Sequence, residues 1–155
     1  MDLMPDDIRA RLLANGATFQ ETDHLPVVKY FDPCGAATWI ITELMPAEGE
    51  GAEPDILFGL CDLGFGCPEL GYVSLAELKS VPGRLGLGIE RDLYFRRRYP
   101  ISVYAHAAQR HGRIVESETL LAESAAALEI LPIPDASPSE TDPDPSQPAG
   151  SDEHG

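Results

Sequence analysis

"ILFGLCDLGFGCPELGYVSLAELKS", residues 56–80, is the stretch whose reading decides the fold. Its first part, Ile56 to Gly64, is a short apolar run, which predicts a strand with apolar residues on both faces for much of its length. Gly64, Gly66 and Pro68 then punctuate the chain as a tight turn does. Gly71 to Val73 read as a second short strand. At Ser74 the period changes. Ser74 followed three residues later by Glu77 is a capping box, which opens a helix over 75–81 with Leu75 and Leu78 as its apolar contacts. Strand, turn, strand and capped helix therefore follow one another within 25 residues.

Upstream, "MPDDIRARLLANG" (4–16) predicts a short helix. Pro5 suits its first position, Asp6 and Asp7 favour the positive end of the dipole, and Gly16 can terminate it. Ile8, Leu12 and Leu13 form its buried stripe. "PVVKYFD" (26–32) and "ATWIITEL" (37–44) are β-branched and aromatic runs joined by "PCGA", the signature of a hairpin. The acidic stretch 45–55 reads as a surface loop. Downstream, "PGRLGLG" (82–88) is a turn-rich loop, and in "IERDLYFRR" (89–97) Ile89, Leu93 and Phe95 are expected to point inward. A helix follows from near Ser102 and stops at Gly112. "ESETLLAESAAALEI" (116–130) is an alanine-rich amphipathic helix candidate ending before Pro132. This order predicts an α+β fold: a small, mainly antiparallel sheet with short flanking helices. The divisions are a single domain over 1–115, the alanine-rich helix over 116–133, and a tail over 134–155.

That tail, "PDASPSETDPDPSQPAGSDEHG", holds six acids, five prolines, no lysine or arginine and no apolar residue larger than alanine. It has too little apolar surface to offset the entropy of ordering, so disorder is expected. The whole chain carries a formal charge of −15. Residues 1–133 hold twenty acids against eleven basic residues and remain nine charges negative. General binding to phosphate backbones needs a positive surface, so nucleic acid is not the expected partner. One stretch runs the other way. Arg91, Arg96, Arg97, Arg98, Arg110 and Arg113 fall close together with Asp92 as the only acid among them, a candidate basic patch centred on "FRRRY". No apolar run reaches the roughly 18–20 residues that span a bilayer, and "MDLMPDDIRARLL" is unlike a signal peptide, so a cytoplasmic location and no membrane are expected.

Three cysteines at irregular spacing, Cys34, Cys61 and Cys67, do not make a disulfide framework, and no pair stands at the two-to-four spacing of a compact zinc knuckle. His106 and His111, five apart, point to different faces of a helix, so no metal and no cofactor are expected there. The acids are the better candidates. Asp62, Glu69, Glu90 and Asp92 fall at strand ends or turns, where carboxylates can converge on a divalent cation. In "IERDLYF" an alternating strand aims Glu90 and Asp92 one way and Ile89, Arg91 and Leu93 the other. Arg91 would then face the packed side and need a carboxylate, supplied by Asp62 or Glu69. A structural ion-pair network around "GFGCPELG" is the competing account of the same residues. "LGFG" lacks the spacing and lysine of a phosphate loop.

The blocks "ATWIITEL", "DILFGLCDLGFGCPELGYVSLAEL", "GRLGLGIERDLYF" and "PISVYAHAAQRHGRIV", in this order, closely resemble the bacterial family known as domain of unknown function 2958. The resemblance runs from the first helix to about Val115. It implies a small cytoplasmic bacterial protein, often borne on plasmids or other mobile elements, and it supplies no catalytic residues. The alanine-rich segment and the acidic tail depart from the usual shorter member. The expectation is therefore a non-enzymatic accessory protein of mobile DNA acting through a protein partner. Its rivals are a metal-assisted hydrolase or nuclease built on Asp62, Glu69, Glu90 and Asp92 with Mg²⁺ or Mn²⁺, and a nucleic-acid-binding module built on the arginines between 91 and 113.

Overall fold

The computed structural model describes residues 1–18, 21–49, 55–81 and 88–133. Along the chain run α1 (Asp6–Gly16), β1 (Val28–Phe31), β2 (Thr38–Met45), β3 (Ile56–Asp62), β4 (Glu69–Ser74), α2 (Leu75–Ser80), β5 (Glu90–Arg91), α3 (Ile101–His111) and α4 (Glu118–Ala127). The strands form one sheet in the order β4-β3-β2-β1-β5, antiparallel throughout. This is the α+β architecture read from the sequence.

Strand alternation sorts the core into two halves. On one face Ile40 and Leu60 pack with Val103, Tyr104 and Ala108 of α3 and with Leu121 and Ala125 of α4. On the other, Tyr30, Ile41 and Leu57 lie under Leu12 of α1 and Leu78 of α2. Each fully buried leucine or isoleucine contributes roughly 1.5–3 kcal/mol of transfer free energy. The alanine-rich segment joins this core rather than trailing from it, since Leu121, Ser124 and Ala125 are buried. His106 Nδ1 and Ser124 Oγ, 2.9 Å apart, tie α4 to α3.

Local chemistry sets most element ends. The Ser74 side chain accepts a hydrogen bond from the Glu77 amide at 2.9 Å, so the capping box forms as expected. Gly112 closes α3 in the left-handed region at φ 70°, where glycine carries no Cβ penalty. The other end of α3 is capped from far away. Pro100 has no capping side chain, and instead the Asp23 carboxylate accepts from the Ser102 amide (3.0 Å) and from the Ser102 hydroxyl, while the His24 carbonyl accepts from the Ile101 amide at 2.9 Å. The loop before β1 thus supplies acceptors for amides that the first turn of a helix leaves unbonded.

One irregularity matters for the surface. Ile41 pairs with Gly59 but Glu43 pairs with Phe58, so Thr42 is an extra residue in β2, a β-bulge. Gly59 permits it: a Cβ there would lie 2.1 Å from the Ile40 carbonyl oxygen. Thr42 is held by its hydroxyl donating to the Phe58 carbonyl at 3.3 Å and by its carbonyl accepting from Asn15 of α1 at 2.9 Å. The bulge turns Glu43 onto the face of Leu60 and leaves Leu44 in the opposite core.

One expectation changes. Leu93 is exposed, not core-directed. Asp92 is the last residue in register with β1, its amide donating to the Lys29 carbonyl at 2.9 Å, and its side chain then accepts from the Tyr94 amide at 2.8 Å, a turn that takes the chain out of the sheet. The expected tail over 134–155 lies outside the described residues, as do 50–54 of the acidic loop and 82–87 of the turn-rich loop. Among the described residues no helix is long and apolar enough to cross a membrane.

Candidate functional site

The sheet face that carries α3 and α4 is not covered to its end. Beyond the first turn of α3 an open groove of about 690 Å³ remains, floored by Phe58, Leu70 and Tyr72 and walled by Glu21, Asp23 and Glu43. Each part has a local cause. Phe58 and Tyr72 are cross-strand partners on β3 and β4, and their rings pack at 5.1 Å between centroids, a distance typical of a tilted aromatic pair. Glu43 is present only because the Thr42 bulge shifts the register. His24 Nε2 lies 3.4 Å from Glu43 Oε1 and 3.3 Å from Thr18 Oγ1, pinning the α3-capping loop to β2. Among the described residues no lysine or arginine lines this groove.

Apolar exposure continues from the groove. Tyr72 is 67 % exposed and Leu70 42 %, and beyond them Leu63 and Phe65 (83 % exposed) project from the β3–β4 turn. Strand β4 is also an edge of the sheet, paired on one side with β3 and with no strand on its other side among the described residues. Edge strands present a row of unpaired backbone donors and acceptors, a template for another chain. Sequence reading passed over Asp23, Glu43, Phe58 and Tyr72. The alternation of Leu70 and Tyr72 was the one available signal.

The carboxylates singled out from sequence are not brought together. Cross-strand registers run Glu90–Phe31–Thr38–Asp62, so Glu90 and Asp62 stand three strands apart, about 14 Å at ~4.8 Å per strand. Glu69 pairs with Cys61 and therefore points to the face opposite Asp62. Asp92 binds Lys29 at 3.2 Å, and Lys29 also reaches Glu116 at 2.6 Å. Burial pulls the Lys29 ammonium down, but hydrogen bonds and charge from Glu116 and Asp92 outweigh it and hold the pKa above the usual lysine value. Among the described residues no three histidine, cysteine or acidic side chains are grouped to hold a metal ion. Asp62, only 4 % exposed, spends its carboxylate on backbone amides: Oδ1 accepts from Gly64 and Oδ2 from Ile114, both at 2.9 Å.

Arg91 does share the face of Ile89 and Tyr30, as the alternation predicted, yet neither Asp62 nor Glu69 pairs with it. It is half-exposed, and its Nε donates to the Asp2 carbonyl at 3.3 Å. The reason is distance: β5 and β3–β4 are at opposite sides of the sheet. The arginine run divides as well. Arg96 and Arg98 line one groove with Tyr94 and Tyr104, whereas Arg97 is buried on the other side near Arg11 and His24. Arg110 and Arg113 are exposed at the far end of α3. All three cysteines are free thiols. Burial, with the Glu69 charge adding to it, pushes the Cys61 thiol up to about 11.

The class this defines is a small α+β domain whose antiparallel sheet has helices on both faces and an acidic groove beside the β4 edge. A family model described as "Protein of unknown function (DUF2958)" matches residues 3–115, and the chain belongs to that family. No curated protein and no solved structure matches the chain. The family match stops short of α4, although Leu121 and Ala125 complete the same core.

Proposed function

We propose that this domain is a non-enzymatic accessory protein that binds a protein partner by docking an extended, basic segment along the β4 edge and the adjoining acidic groove. The observation that supports this is the coincidence of three features in one place: an edge strand, the exposed side chains of Leu70 and Tyr72, and the carboxylates of Glu21, Asp23 and Glu43 with no lysine or arginine among the described residues of the groove. Strand addition provides backbone hydrogen bonds for affinity, and alternate side chains provide specificity. The fit is to a peptide whose every second residue, on the face shared by Phe58, Tyr72 and Glu43, is lysine or arginine, its alkyl stem over the rings and its charge toward the acids, with the apolar residues between them on the other face. In the setting implied by the family resemblance, cytoplasmic handling of mobile DNA, basic clefts belong to enzymes that grip phosphate backbones. A domain nine charges negative over residues 1–133 is complementary to them.

Titration of the full ¹⁵N-labelled chain with an eight-residue alternating Lys-Val peptide tests this. The amides of Glu69 to Ser74 shift, and Tyr72→Ser or Glu43→Gln weakens binding about tenfold, a loss of ~1.4 kcal/mol. A Glu-Val peptide of equal length leaves the same amides in place. Equal binding of both peptides, or shifts that avoid β4, would refute the proposal.

A further inference from the structure

We infer that two copies of this chain pair along their β4 edges, strand β4 of one antiparallel to β4 of the other about a two-fold axis through Gly71. The inference rests on the reading of β4 as a docking edge and adds what covers that edge when no partner is bound. No residue from Glu69 to Ser74 is buried. Solitary edge strands are commonly guarded by lysine, proline or a bulge, and β4 carries none of these. A two-fold axis normal to the sheet keeps Leu70 and Tyr72 of both copies on the face that carries α3. With Gly71 on the axis, Leu70 of each copy stands opposite Tyr72 of the other. Glu69 then stands opposite Val73, so no carboxylate meets a carboxylate along the paired strands.

Charge selects this orientation. The first turn of α3, Ile101 and Ser102, lies beside Leu70 and Tyr72 in the groove with Glu21, Asp23 and Glu43. The other end of α3 lies beside the β3–β4 turn, where a Cβ on Gly112 would stand 3.6 Å from the Gly66 carbonyl oxygen. That end carries Arg110, His111 and Arg113, all exposed, and neither arginine has a hydrogen bond or an ion pair among the described residues. Helix α3 holds no acid to offset them. Antiparallel pairing of β4 makes one continuous sheet of ten strands and lays the two α3 helices antiparallel on the same face. The basic end of each then comes beside the acidic groove of the other, and the contact is made twice. Since α3 packs over β3 and β4, the two helix axes are two to three strand spacings apart, about 10–14 Å, a gap that Leu70, Tyr72 and the arginine stems fill. Nine negative charges on residues 1–133 of each copy oppose any approach of acid to acid, and this arrangement brings unlike ends together. A basic partner segment therefore enters the β4 site by displacing the second copy.

Sedimentation equilibrium of the full chain at high micromolar concentration tests the pairing, and the native chain has twice the chain mass. Two double variants, Arg110→Glu with Arg113→Glu and Glu21→Lys with Glu43→Lys, are each monomeric, because each sets like charges together at both contacts. All four positions lie outside the buried core, and circular dichroism confirms that each variant folds. Mixed in equal amounts the two variants form a dimer, since both contacts then join unlike charges. A monomeric native chain would overturn the inference, as would variants that dimerise like the native chain or a mixture that stays monomeric. One measurement needs no substitution: in a mixture of ¹³C-labelled and unlabelled native chains, nuclear Overhauser effects join the Leu70 methyls of one copy to the Tyr72 ring of the other, and their absence would also overturn the pairing. The alternating Lys-Val peptide separates the two readings of β4. A native chain that is monomeric and binds the peptide keeps the partner reading and overturns the pair. A dimer that the peptide does not open supports the pair and refutes the partner reading.

Discussion

Removing the Asp62 carboxylate measures how much of the fold hangs on one buried acid. Asp62 joins the β3–β4 turn to the segment after α3 by accepting from the Gly64 and Ile114 amides, each at 2.9 Å. No lysine or arginine pairs with it among the described residues. Asp62→Ala deletes two charge-assisted hydrogen bonds, worth about 1.5–3 kcal/mol each when the freed donor stays buried. Gly64 is exposed, so water replaces the carboxylate there and that loss falls well below the range. The Ile114 amide is only partly exposed and bears most of the cost. The expected total is about 2–4 kcal/mol. Asp62→Asn keeps one acceptor oxygen but turns an NH₂ toward the second amide, so about half the loss remains. In urea the midpoint falls with an unchanged slope, and the melting temperature drops by roughly 3 °C per kcal/mol for a chain of this size. Hydrogen exchange at the Ile114 amide accelerates in parallel. A loss below about 1 kcal/mol for the alanine variant, with Ile114 still protected, would refute the reasoning and leave Asp62 available for other chemistry.

Arg91→Ala should cost less than about 1 kcal/mol in the same assay, as expected for a half-exposed side chain with one carbonyl partner. A loss of ~3–5 kcal/mol would mean a buried ion pair instead. Alkali should unfold the domain. Burial raises the Tyr30 and Tyr104 hydroxyls, Tyr104 to about 12, and the Cys61 thiol to about 11, while the acidic partners of Lys29 raise its ammonium. With every folded value above its unfolded one, the unfolded chain releases these protons first. Stability is therefore intact below about pH 8.5 and falls from there as pH rises through the folded values. Circular dichroism from pH 7 to 12 checks this, and Cys61→Ala delays the onset. A flat profile to pH 12 would contradict the burial of these groups.

Local chemistry accounts for what the sequence determined by itself. Ser74 and Glu77 lie within one helical turn, Gly112 needs only its own backbone freedom, and the hairpins need only short loops between β-branched runs. Such contacts span few residues, so helix starts and stops, the strand runs and the α+β class were all readable from the chain. The site was not. Thr42 bulges because α1 and β3 hold it, and only that shift aims Glu43 into the groove. Asp23 caps a helix 79 residues away, and Asp62 closes a contact across 52. The acids read as one cluster stand on different strands and faces, because strand order, not spacing along the chain, sets their separation. Residue type and period specify each element. Which side chains share a groove depends on long-range registers and caps, and these exist only once the sheet and its helices have packed.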